Sequence, residues 1–71
     1  MTESLTLGEA LPKEIARVRD EVMPAYLEIG PSGALAWTMM RSDLDRASRA
    51  MISGDVVEML KVYQDLKGYR I

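Results

Sequence analysis

The sequence predicts an all-α protein, a compact three-helix bundle. In three separate stretches the apolar residues step by three and four, which lays one apolar stripe along each of three α-helices. Gly-Pro-Ser-Gly at 30–33 and Ser-Gly-Asp at 53–55 punctuate the chain between those stretches. No segment alternates apolar and polar residues over a useful length, so no sheet is expected.

The chain of 71 residues has room for a single domain, 1–71, near the size at which one core barely outweighs chain entropy. Hydrophobic residues make up 48% and charged residues 28%, a composition that folds. There is no cysteine and no histidine. Disulfides are excluded, and a zinc site would need carboxylates alone. No metal and no cofactor is expected. Small domains without these supports rely on good helix packing or on a partner subunit.

The first helix is expected over about 12–29. Pro12 suits a first turn, because its φ is preset and its missing N–H is not needed there. Ile15, Val18, Val22, Ala25 and Ile29 form the stripe, and Arg17 can reach Glu14, Asp20 or Glu21 across one turn. Pro24 removes a hydrogen bond and crowds the Asp20 carbonyl, which predicts a kink or a break; the stripe keeps phase across it, which favours a kink. Ahead of this helix, Thr6 and Glu9 have capping-box spacing for one short turn, with Leu7 and Leu11 folding back onto the body. Residues 1–8 are otherwise expected to fray.

Gly30 suits a helix stop, Pro31 prevents continuation, and Ser32 is placed to cap the next helix. That second helix, about 33–52, organises the rest. Trp37, Met40, Leu44, Ala47 and Met51 form its stripe, and its first half, Leu35 to Met40, is apolar nearly all round. A helix apolar on all sides is normally covered on all sides. Two neighbouring helices cannot do this, so the N-terminal segment or a second subunit must. In the second half Asp45 and Arg49 have favourable acid-before-base spacing. Gly54 ends the helix, and Asp55 with Glu58 is spaced as cap and return cap for the third, about 55–67. Val56, Met59, Tyr63 and Leu66 form its stripe, widened by Val57, Leu60 and Val62. Gly68 terminates it, leaving Tyr69 or Ile71 to lie against the core.

Residues 44–67, LDRASRAMISGDVVEMLKVYQDLK, resemble the helix-turn-helix unit of a tetratricopeptide repeat, with Gly54-Asp55 at the turn and Tyr63 and Leu66 following. Met59 stands where that family favours alanine, and the chain holds one unit where the family stacks several. The whole chain also resembles short helical proteins encoded in proteobacterial prophages, through Leu7-Gly8-Glu9-Ala10-Leu11-Pro12, Ile29-Gly30-Pro31 and Gly54-Asp55-Val56-Val57. That resemblance implies a mobile-element origin and no particular activity.

An enzyme is not expected. Histidine and cysteine are missing, no serine sits in a nucleophile motif, and no Gly-rich loop cradles a phosphate. Glu21, Glu28, Asp43, Asp45 and Asp65 read as a solvated face. A formal charge of −2 is too balanced to imply nucleic acid or an anionic membrane. Arg41, Arg46 and Arg49 raise the alternative of a small nucleic-acid-associated regulator, but Asp43 and Asp45 among them cancel much of the field. The longest apolar stretch, 34–40, is too short to cross a bilayer, and no basic patch precedes an apolar run. A cytoplasmic protein is expected. The expected function is a protein–protein interaction module, self-associating, with Leu35, Trp37, Met39 and Met40 as candidate interface residues. In a two-fold pairing Trp37 would meet Leu35 and Met39 of its mate.

Overall fold

A helix start needs groups to satisfy its free N–H donors and to define where the chain leaves extended backbone. Thr6, in extended conformation, does this: its carbonyl accepts from the Glu9 N–H at 3.0 Å, and its own N–H and hydroxyl donate to Glu9 Oε1 at 3.1 Å. The computed structural model describes residues 6–70. Helix α1 therefore spans Leu7–Arg17, and Pro12 lies inside it instead of opening it. The expected frayed segment divides here. Thr6 to Gly8 form the cap and first turn, whereas 1–5 lie outside the described residues. Hydrogen bonds from Thr6 hold the Glu9 carboxyl below its ordinary range. Leu11 is fully enclosed and Leu7 packs against the core, as the staple expectation required.

The strain at Pro24 is resolved without a break. After α1 the chain makes a π-helical turn, Val18–Val22, and continues directly as α2, Met23–Ile29. The Met23 N–H donates to the Val18 carbonyl, five residues back. A π-turn inserts one residue into the helical count and so rotates everything downstream relative to an unbroken α-helix. Upstream the inward positions are Leu11, Ile15, Val18 and Val22; downstream they are Met23 and Tyr26. The predicted continuation through Ala25 to Ile29 fails for this reason, and Ile29 is exposed. Pro24, second in α2, donates no hydrogen bond and sits where the helix is already widened.

Gly30 joins α2 to α3, Pro31–Ser53, as a single residue at φ +91°. Its N–H donates to the Leu27 carbonyl at 3.3 Å and its own carbonyl accepts from the Gly33 N–H at 2.9 Å. Gly30, not Ser32, is therefore the cap, and Pro31 takes the first helical position that suits it. So short a connection forces α2 and α3 close together. A Cβ built on Gly33 would stand 2.0 Å from the Tyr26 carbonyl oxygen, so only glycine fits at this crossing.

Helix α3 ends at Gly54, which is left-handed at φ +71°. The Asp55 N–H donates back to the Ala50 carbonyl at 3.1 Å, and Asp55 Oδ1 accepts from the Glu58 N–H at 3.1 Å to open α4, Val56–Lys67. The return half of the expected box is not made, because the Glu58 carboxylate turns to Arg46. The enclosed positions of α4 are Met59, Val62 and Leu66, with Tyr63 half-buried; Val56, expected in the stripe, faces solvent.

The three helical arms pack with α3 central. Met40, Ala47 and Ala50 of α3 meet Leu11, Val18, Val22 and Met23 of the first arm and Met59, Val62 and Leu66 of α4. Each large aliphatic side chain enclosed this way contributes about 1.5–3 kcal/mol. The body measures 39 × 31 × 15 Å, with a radius of gyration of 12.7 Å. A spherical chain of this length would have about 11 Å. The bundle is a slab, with more surface per residue than a sphere.

Replacing Gly33 by Ala should lower stability by about 1–3 kcal/mol, because a backbone carbonyl cannot yield as a side chain can. At Gly68, which is right-handed and has 3.4 Å of room, the same change should cost well under about 1 kcal/mol. Urea unfolding of the two variants checks the contrast.

Candidate functional site

Two features of the surface stand apart from ordinary solvated helix: a polar cluster on one seam and a set of uncovered aliphatic side chains. The cluster is centred on Arg46 of α3. Its Nε–H donates to Glu58 of α4, and its Nη1 donates to Asp43 at 3.2 Å and to Asp65 at 3.0 Å. The Tyr69 hydroxyl donates to the second oxygen of Asp43 at 2.7 Å. One guanidinium thus ties the middle helix to both ends of α4, and one phenol ties down the chain beyond it. Arg46 ionisation is favoured first by the hydrogen bond to Glu58. The cluster is only partly buried, so the pairs hold register more than they add stability.

Of Arg41, Arg46 and Arg49, the cluster takes up Arg46 alone. Arg46 is surrounded by carboxylates and presents no free charge to a phosphate. Arg41 lies over the Trp37 ring at 5.8 Å from its centroid. On the opposite seam Arg17 joins α1 to α4, donating to Glu14 at 3.0 Å and to the Leu66 carbonyl at 3.0 Å.

The tail beyond α4 is held at two points. Besides the Tyr69 contact, the Tyr26 hydroxyl donates to the Arg70 carbonyl at 2.9 Å. Tyr69 packs on the core as expected, while Ile71 lies outside the described residues.

The four candidate interface residues do not form one surface. Leu35 is 73% exposed and Met39 54% exposed, and at four-residue spacing they share a face of α3. Met40 is fully enclosed in the core and offers no surface. Trp37 is half-buried against the core and stands roughly 200° around the helix from Leu35. Neither the N-terminal arm nor α4 covers Leu35 and Met39.

Uncovered aliphatic side chains among the described residues fall in two stretches of the chain: Leu27, Ile29, Leu35 and Met39 on either side of Gly30, and Ile52, Val56, Val57 and Leu60 on either side of Gly54. The second group was missed from sequence, where Val56, Val57 and Leu60 counted as core. The signal was present: α4 carries more aliphatic residues than one stripe needs, and a short helix against two neighbours buries only one stripe. No helix among the described residues is long and apolar enough to cross a membrane.

Fold and surface together define a class, a small all-α bundle that leaves several large aliphatic side chains uncovered. No family model matches the chain, and no curated protein or solved structure was found to be similar to it.

Tyr69 generates a pH prediction. Burial first, and then the bond to Asp43, raise its phenol far above the ordinary value of 10.0. The protonated phenol is favoured in the folded chain, so its contribution is complete below pH 10 and is lost as pH rises past the unfolded value. Stability should fall above pH 10 in the parent and fall less steeply in Tyr69→Phe, which at neutral pH loses only one hydrogen bond, about 0.5–1.5 kcal/mol. Urea midpoints measured from pH 7 to 11 for both chains check it.

Proposed function

We propose that this chain is a non-enzymatic protein–protein interaction module that associates with copies of itself, and that the start of α3 takes part. The supporting observation is the exposure of Leu35 and Met39 on one face of α3. Leaving large aliphatic side chains in water forgoes burial energy that association recovers. The slab shape favours this reading as well, since a flat body leaves more of each helix without a neighbour. The absence of histidine and cysteine from the sequence leaves few groups suited to acid–base or nucleophilic chemistry near neutrality, which also favours binding over catalysis.

Sedimentation velocity between low and high micromolar concentration tests the proposal. The sedimentation coefficient should rise with concentration in the parent chain. In the double variant Leu35→Glu/Met39→Glu it should stay at the monomer value, with the urea midpoint little changed because both residues are already solvated. A parent chain that stays monomeric throughout would contradict self-association.

A further inference from the structure

The end of α4 and the segment beyond it receive a side chain from each of the other helices. At the root, the Leu66 carbonyl accepts from the Tyr69 N–H at 3.1 Å and from Arg17 Nη2 of α1 at 3.0 Å. In the middle, Tyr69 packs against the core and its hydroxyl donates to Asp43 of α3 at 2.7 Å. At the far end, the Arg70 carbonyl accepts from the Tyr26 hydroxyl of α2 at 2.9 Å. Thus α1, α3 and α2 in turn hold the root, the middle and the end of one short stretch.

These contacts differ in kind from those that hold the helices. The helical ladder of α4 stops at Lys67. Beyond it the backbone bonds are single turns, with the Gly68 N–H donating to the Asp65 carbonyl at 3.2 Å and the Tyr69 N–H to Leu66. Gly68 and Arg70 are exposed. A segment held by a few side-chain hydrogen bonds and one partly buried ring belongs to the least stable parts of a fold. Residues fully enclosed within continuous helix, such as Ala47 and Val62, belong to the most stable.

Position gives the segment a task. The elements packed closely on α2 are α3 and the π-turn, and those on α4 are α3 and α1. The segment runs from the end of α4, by way of Asp43 of α3, to Tyr26 of α2, and so joins the two neighbours of α3. Asp43 is the joint: Oδ1 accepts from Arg46 while Oδ2 accepts from Tyr69, and the side chain is only 18% exposed. The anchors at Tyr69 and Arg70 are also mechanically linked. Consecutive Cα atoms stay about 3.8 Å apart, so a backbone movement that lifts Tyr69 off Asp43 carries the Arg70 carbonyl away from Tyr26.

We propose that Gly68 to Arg70 form a strap that docks and releases as one unit. Docked, it fastens α2 to the end of α4 through Tyr26 and Asp43; released, it leaves the helices folded.

Amide hydrogen exchange of the full, isotope-labelled chain tests this, followed by NMR at several urea concentrations below the unfolding transition. The Tyr69 amide should exchange more slowly than a free peptide, at a rate that low urea leaves unchanged, as a small local opening requires. The Ala47 and Val62 amides should exchange more slowly still and speed up with urea, as global unfolding requires. Tyr26→Phe removes one hydroxyl and keeps the ring. Although the lost bond lies at Arg70, exchange at Tyr69 should speed up about two- to tenfold, the worth of one net hydrogen bond. An unprotected Tyr69 amide in the parent chain would mean that no strap is docked. A Tyr69 rate that rises with urea in step with Ala47 would mean that the segment opens only with the whole bundle. An unchanged Tyr69 rate in Tyr26→Phe would mean that the two anchors act separately. Any of these three results overturns the strap.

Discussion

The arrangement of this small bundle depends on one residue more than an α-helix would allow between Arg17 and Met23. Proline at position 24 cannot donate to Asp20 and crowds its carbonyl. The chain answers with a π-turn over Val18–Val22 instead of a break. That turn sets which side chains of the last helical stretch point inward. Met23 and Tyr26 do so, and Leu27 and Ile29 are left outside. Inward rotation of Tyr26 brings its backbone against Gly33 and its hydroxyl within reach of the Arg70 carbonyl. The close α2–α3 crossing, the docking of the tail and the exposure of Leu27 and Ile29 all share this origin.

A second constraint is size. Two helical arms cannot surround a central helix of 23 residues, so α3 is enclosed along one stripe and bare elsewhere. Its enclosed stripe is lined by small and flexible residues, Gly33, Met40, Ala47 and Ala50, which admit the neighbouring helices closely. Polar groups then fix the register that a smooth apolar seam leaves open. Arg46 reaches carboxylates at both ends of α4 from one position on α3, and Arg17 reaches the end of α4 from α1. Sliding either seam by a turn would separate these groups.

Much of the fold was legible because its signals are local. The stripe of α3 through Trp37, Met40, Leu44, Ala47 and Met51 lies against or within the core, and Gly54 and Asp55 end one helix and begin the next. Glycine at positive φ and an aspartate accepting from the third N–H act within a few residues, so sequence reveals them. What escaped depends on more than local spacing. Pro12 and Pro24 looked like a start and a kink, but the capping pair at Thr6 and Glu9 began the helix earlier and the π-turn shifted its phase. Gly33 read as punctuation, although its role is to let two backbones approach. Leu35, Trp37, Met39 and Met40 were grouped by adjacency in the chain, and a helix distributes adjacent residues around its circumference. The exposure of Val56, Val57 and Leu60 was hidden because aliphatic residues in an amphipathic helix look like core until the neighbours are seen to cover only one stripe.

Both the packing of the first arm and the exposure of Leu27 and Ile29 follow from the hydrogen-bond register ahead of Pro24. Scalar coupling across hydrogen bonds, measured by NMR on isotope-labelled protein, reads that register directly. The account requires a coupling between the Met23 amide nitrogen and the Val18 carbonyl carbon. A coupling from Met23 to the Arg19 carbonyl instead would mean an unbroken α-register, and the phase shift on which this structure is built would be wrong.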